Sequence, residues 1–119
     1  MQLLRFIREH VPSVWALRLL LLIRTPPLRT WSPGELVREL RASDLVVANV
    51  LSRFQDDGLV VIDPERRYRF AAERGLDDLC DALADAYRLR PFAVRRAIMA
   101  PDNQLTELAD AFRIKDRRE

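Results

Sequence analysis

Between Ser32 and Phe70 the chain carries an ordered series of start and stop signals that few folds can satisfy. Ser32-Pro33-Gly34-Glu35 reads as a helix start. The serine can accept from the backbone at N3, proline suits the first helical position, and Glu35 at N3 can reach back to complete a capping box. That helix is expected to turn Leu36, Val37 and Leu40 inward and to stop near Arg41-Ala42. Ser43 then caps a second helix running to about Asp57, where Gly58 ends it in the manner of a C′ glycine. Leu59-Val60-Val61-Ile62 is a strand rich in β-branched residues, and Asp63-Pro64-Glu65-Arg66 supplies turn chemistry. Arg67-Tyr68-Arg69-Phe70 alternates charged and aromatic residues, as a half-buried return strand should.

The flanking segments read as helices. Residues 2–9 form a short one, with Leu3, Leu4, Phe6 and Ile7 apolar, ending before Pro12. Ser13 caps Val14–Arg24, where Trp15, Leu19, Leu20, Leu22 and Ile23 are apolar nearly all round, so this helix is expected at the centre of the core. Pro26 and Pro27 stop it, and Arg29-Thr30-Trp31 is extended enough to add a short strand. Downstream, Glu73–Leu89 reads as a long helix with Leu76, Leu79, Cys80, Leu83 and Tyr87 on one face. Pro91 breaks it and begins another, Phe92–Met99. After a loop at 100–103, Gln104–Ile114 forms a last amphipathic helix on Leu105, Leu108, Ala109 and Phe112, followed by a charged tail. The economical organisation is one domain over residues 1–119, with a core at 13–72 and C-terminal helices at 73–115.

Composition narrows the function classes. With Cys80 the one cysteine and His10 the one histidine, neither an intramolecular disulfide nor a thiolate or imidazole metal cluster can be built. Cys80 falls on an apolar face as a small hydrophobe, and His10 falls at a helix end. Asp77, Asp78, Asp81 and Asp85 complement a helix dipole more simply than they make an acid–base pair. A nucleophile beside a base and a glycine-rich phosphate loop are both missing, so no enzymatic activity, cofactor or metal is expected. The apolar run Leu19–Ile23, even with Ser13–Leu17 before it, falls short of the ~20 residues that cross a bilayer. Arg8, Glu9 and His10 interrupt any signal-peptide pattern. A cytoplasmic protein without a membrane partner is expected.

The run Glu35-Leu36-Val37-Arg38-Glu39-Leu40, Arg41-Ala42-Ser43, Asp44 to Gln55, then Asp56-Asp57-Gly58-Leu59-Val60 resembles bacterial winged-helix regulators of the MarR type. The resemblance spans residues 14–72. It implies a mostly α fold with a small β-hairpin wing: a winged helix-turn-helix domain with N- and C-terminal helical extensions. Within the second helix, Val47, Leu51 and Phe54 recur at i, i+4 and i+7 and would seat it on the core. Asp44, Leu45, Ala48, Asn49, Ser52 and Arg53 lie opposite, with Val46 and Val50 at the borders. The resemblance implies a transcriptional regulator of double-stranded DNA that sets helix 43–57 in the major groove and wing 59–70 on the minor groove or backbone. It assigns base reading to Ser43, Asp44, Val46 and Asn49, with Arg53 on phosphate or guanine, and places Arg66 and Arg67 at the wing tip. Terminal helices often build the dimer in that family, so Leu3, Phe6, Leu105, Leu108 and Phe112 are the expected homodimer interface. Its twofold symmetry would set two reading helices about one DNA turn apart. A second use stays open. From Arg41 to Arg74 six arginines are balanced by six acids, and Leu45 and Val46 are apolar on an outward helix. An adaptor that docks on another regulatory protein through Leu45, Val46 and the wing fits those features too.

Overall fold

The computed structural model describes residues 2–25 and 29–99. In chain order these form α1 (Gln2–His10), α2 (Val14–Arg24), α3 (Pro33–Leu40), α4 (Asp44–Asp56), β1 (Val60–Ile62), β2 (Tyr68–Phe70), α5 (Arg74–Leu89) and α6 (Pro91–Met99). The fold is therefore mostly helical with one small antiparallel hairpin. Among the described residues no helix is long and apolar enough to cross a membrane. The expected loop at 100–103 and helix at 104–114 lie outside the described residues, as do Pro26 and Pro27.

Among the described residues two compact units separate, one within 15–78 and the other joining 2–14 to 79–99. The segment that reads as an N-terminal extension thus belongs with the C-terminal helices.

In the unit over 15–78, the local signals act where the sequence puts them. Glu35 N–H donates to Ser32 Oγ at 3.1 Å, and Ser32 N–H donates to Glu35 Oε1 at 2.9 Å, closing the capping box on α3. The helix ends on Arg41, whose left-handed backbone (φ 56°) redirects the chain toward α4. Ser43 Oγ accepts from Val46 N–H at 3.1 Å and caps α4. At the other end of α4, Gly58 takes φ 81°. Leu59 N–H donates to the Phe54 carbonyl and Gly58 N–H to the Gln55 carbonyl, the paired bonds of a Schellman stop. Buried Val47, Val50, Leu51 and Phe54 give α4 a wider inward stripe than the three-residue reading, and Val50 moves from the border into the core. In α2, Ala16, Leu17, Leu19, Leu20 and Ile23 are buried. Trp15 departs from expectation: it lies at the surface, with the Arg18 guanidinium 5.1 Å from its ring centre.

The hairpin pairs Val60 with Phe70, Val61 with Arg69 and Ile62 with Tyr68. Asp63 organises its turn, because one carboxylate oxygen accepts from both Glu65 N–H and Arg67 N–H at 2.9 Å. Trp31 and Tyr68 exchange two backbone hydrogen bonds of 2.7 Å, so the extended segment before α3 adds a one-residue third strand beside β2.

In the second unit α1 packs on α6. Leu4, Phe6 and Ile7 are buried, and Phe6 lies 5.0 Å from the His10 ring between ring centres. Cys80 and Leu83 are the buried positions of α5, and Val94 and Ala97 those of α6.

Candidate functional site

The outward side of α4 and the hairpin beside it are the surface for which the sequence carries a functional expectation. Asp44, Leu45, Ala48, Asn49, Ser52 and Arg53 are all exposed on α4, while Val46 is half-buried. Leu45 is the extreme, with 69% of its surface open. Ser43 uses an oxygen lone pair on the cap, which leaves its hydroxyl hydrogen to donate outward. Asp44 sits in the first turn of α4, where the positive end of the helix dipole favours a carboxylate. Arg53 leans on Asp57 one turn later, at a loose 3.8 Å. Of the proposed readers, Asn49 has the side chain best suited to paired donor and acceptor contacts, and it is exposed near the middle of the helix.

The two arginines expected at the hairpin tip behave differently. Arg66 is exposed in a left-handed conformation (φ 64°). Arg67 turns back: its Nε donates to Thr30 Oγ1 at 2.9 Å, and its Nη2 donates to the Thr30 carbonyl at 3.0 Å and to Glu35 Oε1 at 2.8 Å. The assignment of Arg67 to an outside partner is therefore corrected. Its guanidinium ties the hairpin to the segment before α3 and to the capping box of α3. Arg69, to which the sequence assigns no contact, is half-buried and paired across the hairpin with exposed Val61. Cross-strand partners share a face, so Arg69 is on the side of the hairpin that Val61 exposes. Neither Arg66 nor Arg69 has an ion-pair partner among the described residues.

Glu35 is the hub of this arrangement. The Ser32 backbone N–H, and then the Arg67 guanidinium, hold its carboxyl below the ordinary value of 4.5 despite partial desolvation. A carboxyl that titrates lower in the folded state stabilises the fold fully above its unfolded value and loses that contribution as the pH falls through the folded one. Glu35→Gln keeps an oxygen for the Ser32 N–H but removes the charge. The stability gap between wild type and Glu35→Gln should thus be widest at neutral pH and close below about pH 4.5. Thermal melts of both proteins from pH 7 to pH 3 test this, and a gap that does not change with pH would contradict it.

The dimer positions fare unevenly. Leu3 is half-buried, and Phe6 is only 2% exposed within the single chain, so Phe6 is corrected from an interface to a core residue. Leu105, Leu108 and Phe112 lie outside the described residues. Among the described residues no group of three or more His, Cys, Asp or Glu side chains could hold a metal ion. No protein family, curated protein or solved structure matches the chain.

Proposed function

We propose that the chain is a winged helix-turn-helix regulator, a binding protein rather than an enzyme, that reads double-stranded DNA with the exposed face of α4. The observation that carries this reading is the order of the elements from α2 to β2. A helix, a one-residue bridge at Trp31, two capped helices joined by a tight turn, and a hairpin follow one another. In that order the second capped helix presents a polar face to the outside and the hairpin stands beside it. An α-helix fits the major groove, where Asn49 can pair with adenine N6/N7 and Asp44 can accept from cytosine N4. Arg66 and Arg69 are the hairpin cations available for phosphate or for a narrow minor groove. Such a reader works in the cytoplasm, and as a homodimer it sets two α4 helices on successive half-sites.

The charge around α4 is balanced, so affinity for phosphate would rest on the exposed Arg66 and on Arg69 rather than on a net positive surface. Asp63 faces the backbone N–H groups of its own hairpin turn, and Asp57 lies beside Arg53, so these two carboxylates are turned toward partners within the chain. A second reading, a protein-docking adaptor, rests on Leu45, Val61 and Ile62, which are large apolar side chains exposed on α4 and β1.

Salt separates the two. Anisotropy titrations of a labelled duplex between 50 and 300 mM salt should show log K falling linearly with log salt, by about 0.9 per phosphate neutralised. Removing Arg66 and Arg69 together (Arg66→Ala, Arg69→Ala) should reduce that slope by about 2 and weaken all duplexes alike. Absence of duplex binding at 50 mM salt by folded protein would remove the DNA reading and favour the adaptor.

A further inference from the structure

The hairpin leaves one of its edges open. Ala71 N–H donates to the Leu59 carbonyl and Asp63 N–H to the Arg67 carbonyl, both at 2.9 Å. Bonding residues alternate along an antiparallel strand, so Val61 turns its backbone N–H and carbonyl toward β2, whereas Val60 and Ile62 turn theirs away. On the far side of β2 the matching groups of Tyr68 are taken by Trp31. Those of Val60 and Ile62 have no hydrogen-bond partner among the described residues. Open edges are usually blunted by a charge, a proline or a bulge. Leu59-Val60-Val61-Ile62 carries neither charge nor proline, and its register with β2 is unbroken. Val61 is 42% exposed on one face, with the unpaired Arg69 beside it, and Ile62 is 39% exposed on the other.

We propose that β1 is a docking edge for an extended segment of another protein, which adds as a strand and presents an apolar–glutamate–apolar run. This rests on the adaptor reading of β1 rather than on DNA binding, and it names the partner that reading lacks. The outward N–H and carbonyl groups of Val60 and Ile62 offer four hydrogen bonds to such a strand. Its two apolar residues pair with Val60 and Ile62 and share their face, so one of them covers Ile62. The residue between them, opposite Val61, lies on the other face and two strand spacings, about 10 Å, from Arg69. Glutamate and arginine reaching toward one another span that distance over the short Val61 side chain, and aspartate falls short. A second copy of β1 would instead set Val61 against Val61 and bring no acid to Arg69.

Peptide display on the immobilised full-length chain tests the proposal. Selection from random dodecapeptides should enrich the apolar–glutamate–apolar run, and a fluorescein-labelled peptide carrying it is then titrated by anisotropy. N-methylation of either apolar residue, whose N–H points at β1, should weaken binding at least about tenfold. N-methylation of the glutamate, whose N–H points away, should change it by less than about twofold. Arg69→Gln should lower affinity about 3- to 5-fold and remove the advantage of this peptide over its glutamine counterpart. Ile62→Pro removes an outward N–H, spares the bonds to β2 and should prevent binding; the methylated peptides carry the test on wild-type protein if this variant does not fold. Absence of the run among selected peptides would overturn the proposal, as would wild-type self-association that Ile62→Pro abolishes. Enriched peptides indifferent to which amide is methylated would end the docking edge and leave the adaptor reading. Duplex binding is measured on the same samples. Protein that takes the peptide but no duplex would end the DNA reading and leave the edge standing.

Discussion

Phe54→Ala is expected to destabilise the protein by about 3–5 kcal/mol, the range for truncating a buried phenylalanine. Phe54 is completely buried at the last turn of α4, and its carbonyl accepts the Leu59 N–H that closes the helix before β1. The cavity would open where α4 meets the hairpin. The net stability of a domain is only about 5–15 kcal/mol, so this one change takes a large share of it. Urea denaturation followed by circular dichroism measures the loss directly. Ser52→Ala, on the exposed side of the same helix, should stay within about 0.5 kcal/mol of wild type. A loss below about 1 kcal/mol for Phe54→Ala would mean that α4 is not seated by this stripe.

Asn49→Ala should have the opposite profile, leaving the fold intact while changing which DNA is preferred. Asn49 is exposed on the face that Phe54 does not use. A bidentate contact to adenine is worth about 1–3 kcal/mol of discrimination, which corresponds to roughly 5- to 150-fold in relative affinity. Loss of preference should therefore appear at a single base pair in each half-site, with general duplex affinity little changed. Competition between matched and single-substituted duplexes reads this out. Equal preference profiles for wild type and Asn49→Ala would remove Asn49 from the reading set.

The contrast between these residues shows what was legible in the chain. Caps and stops depend on partners three to five residues away, so Ser32 with Glu35, Ser43 with Val46, and Gly58 could each be recognised from their neighbours. The hairpin was legible for the same reason, because Asp63 makes its own turn. Arg41 was not. Its left-handed backbone is demanded by the tight passage from α3 to α4, and an arginine carries none of the turn signal that a glycine would.

The separate fates of Arg66 and Arg67 were equally invisible. They are neighbours of one type, and what distinguishes them is a network with Thr30 and Glu35, more than thirty positions away in sequence. Arg69 was hidden for the related reason that alternation marks a strand face without saying which cations on it stay unpaired. Val50 completes an inward stripe with Val47, Leu51 and Phe54, a pattern open to a wider reading of the helical period. Phe92 and Met99 read from sequence as helical but not as outward, since their orientation depends on which side of α6 meets α1.

The most direct test of the central claim is selection from a pool of randomised duplexes with the purified, full-length protein at moderate salt. DNA reading by a dimer predicts enrichment of a twofold-symmetric sequence with half-sites about 10 base pairs apart. Replacing Arg66 and Arg69 by alanine should lower the fraction bound in every round and leave the motif unchanged, whereas Asn49→Ala should change the preference at one position per half-site. A pool that stays random after repeated rounds with folded wild-type protein would contradict the claim.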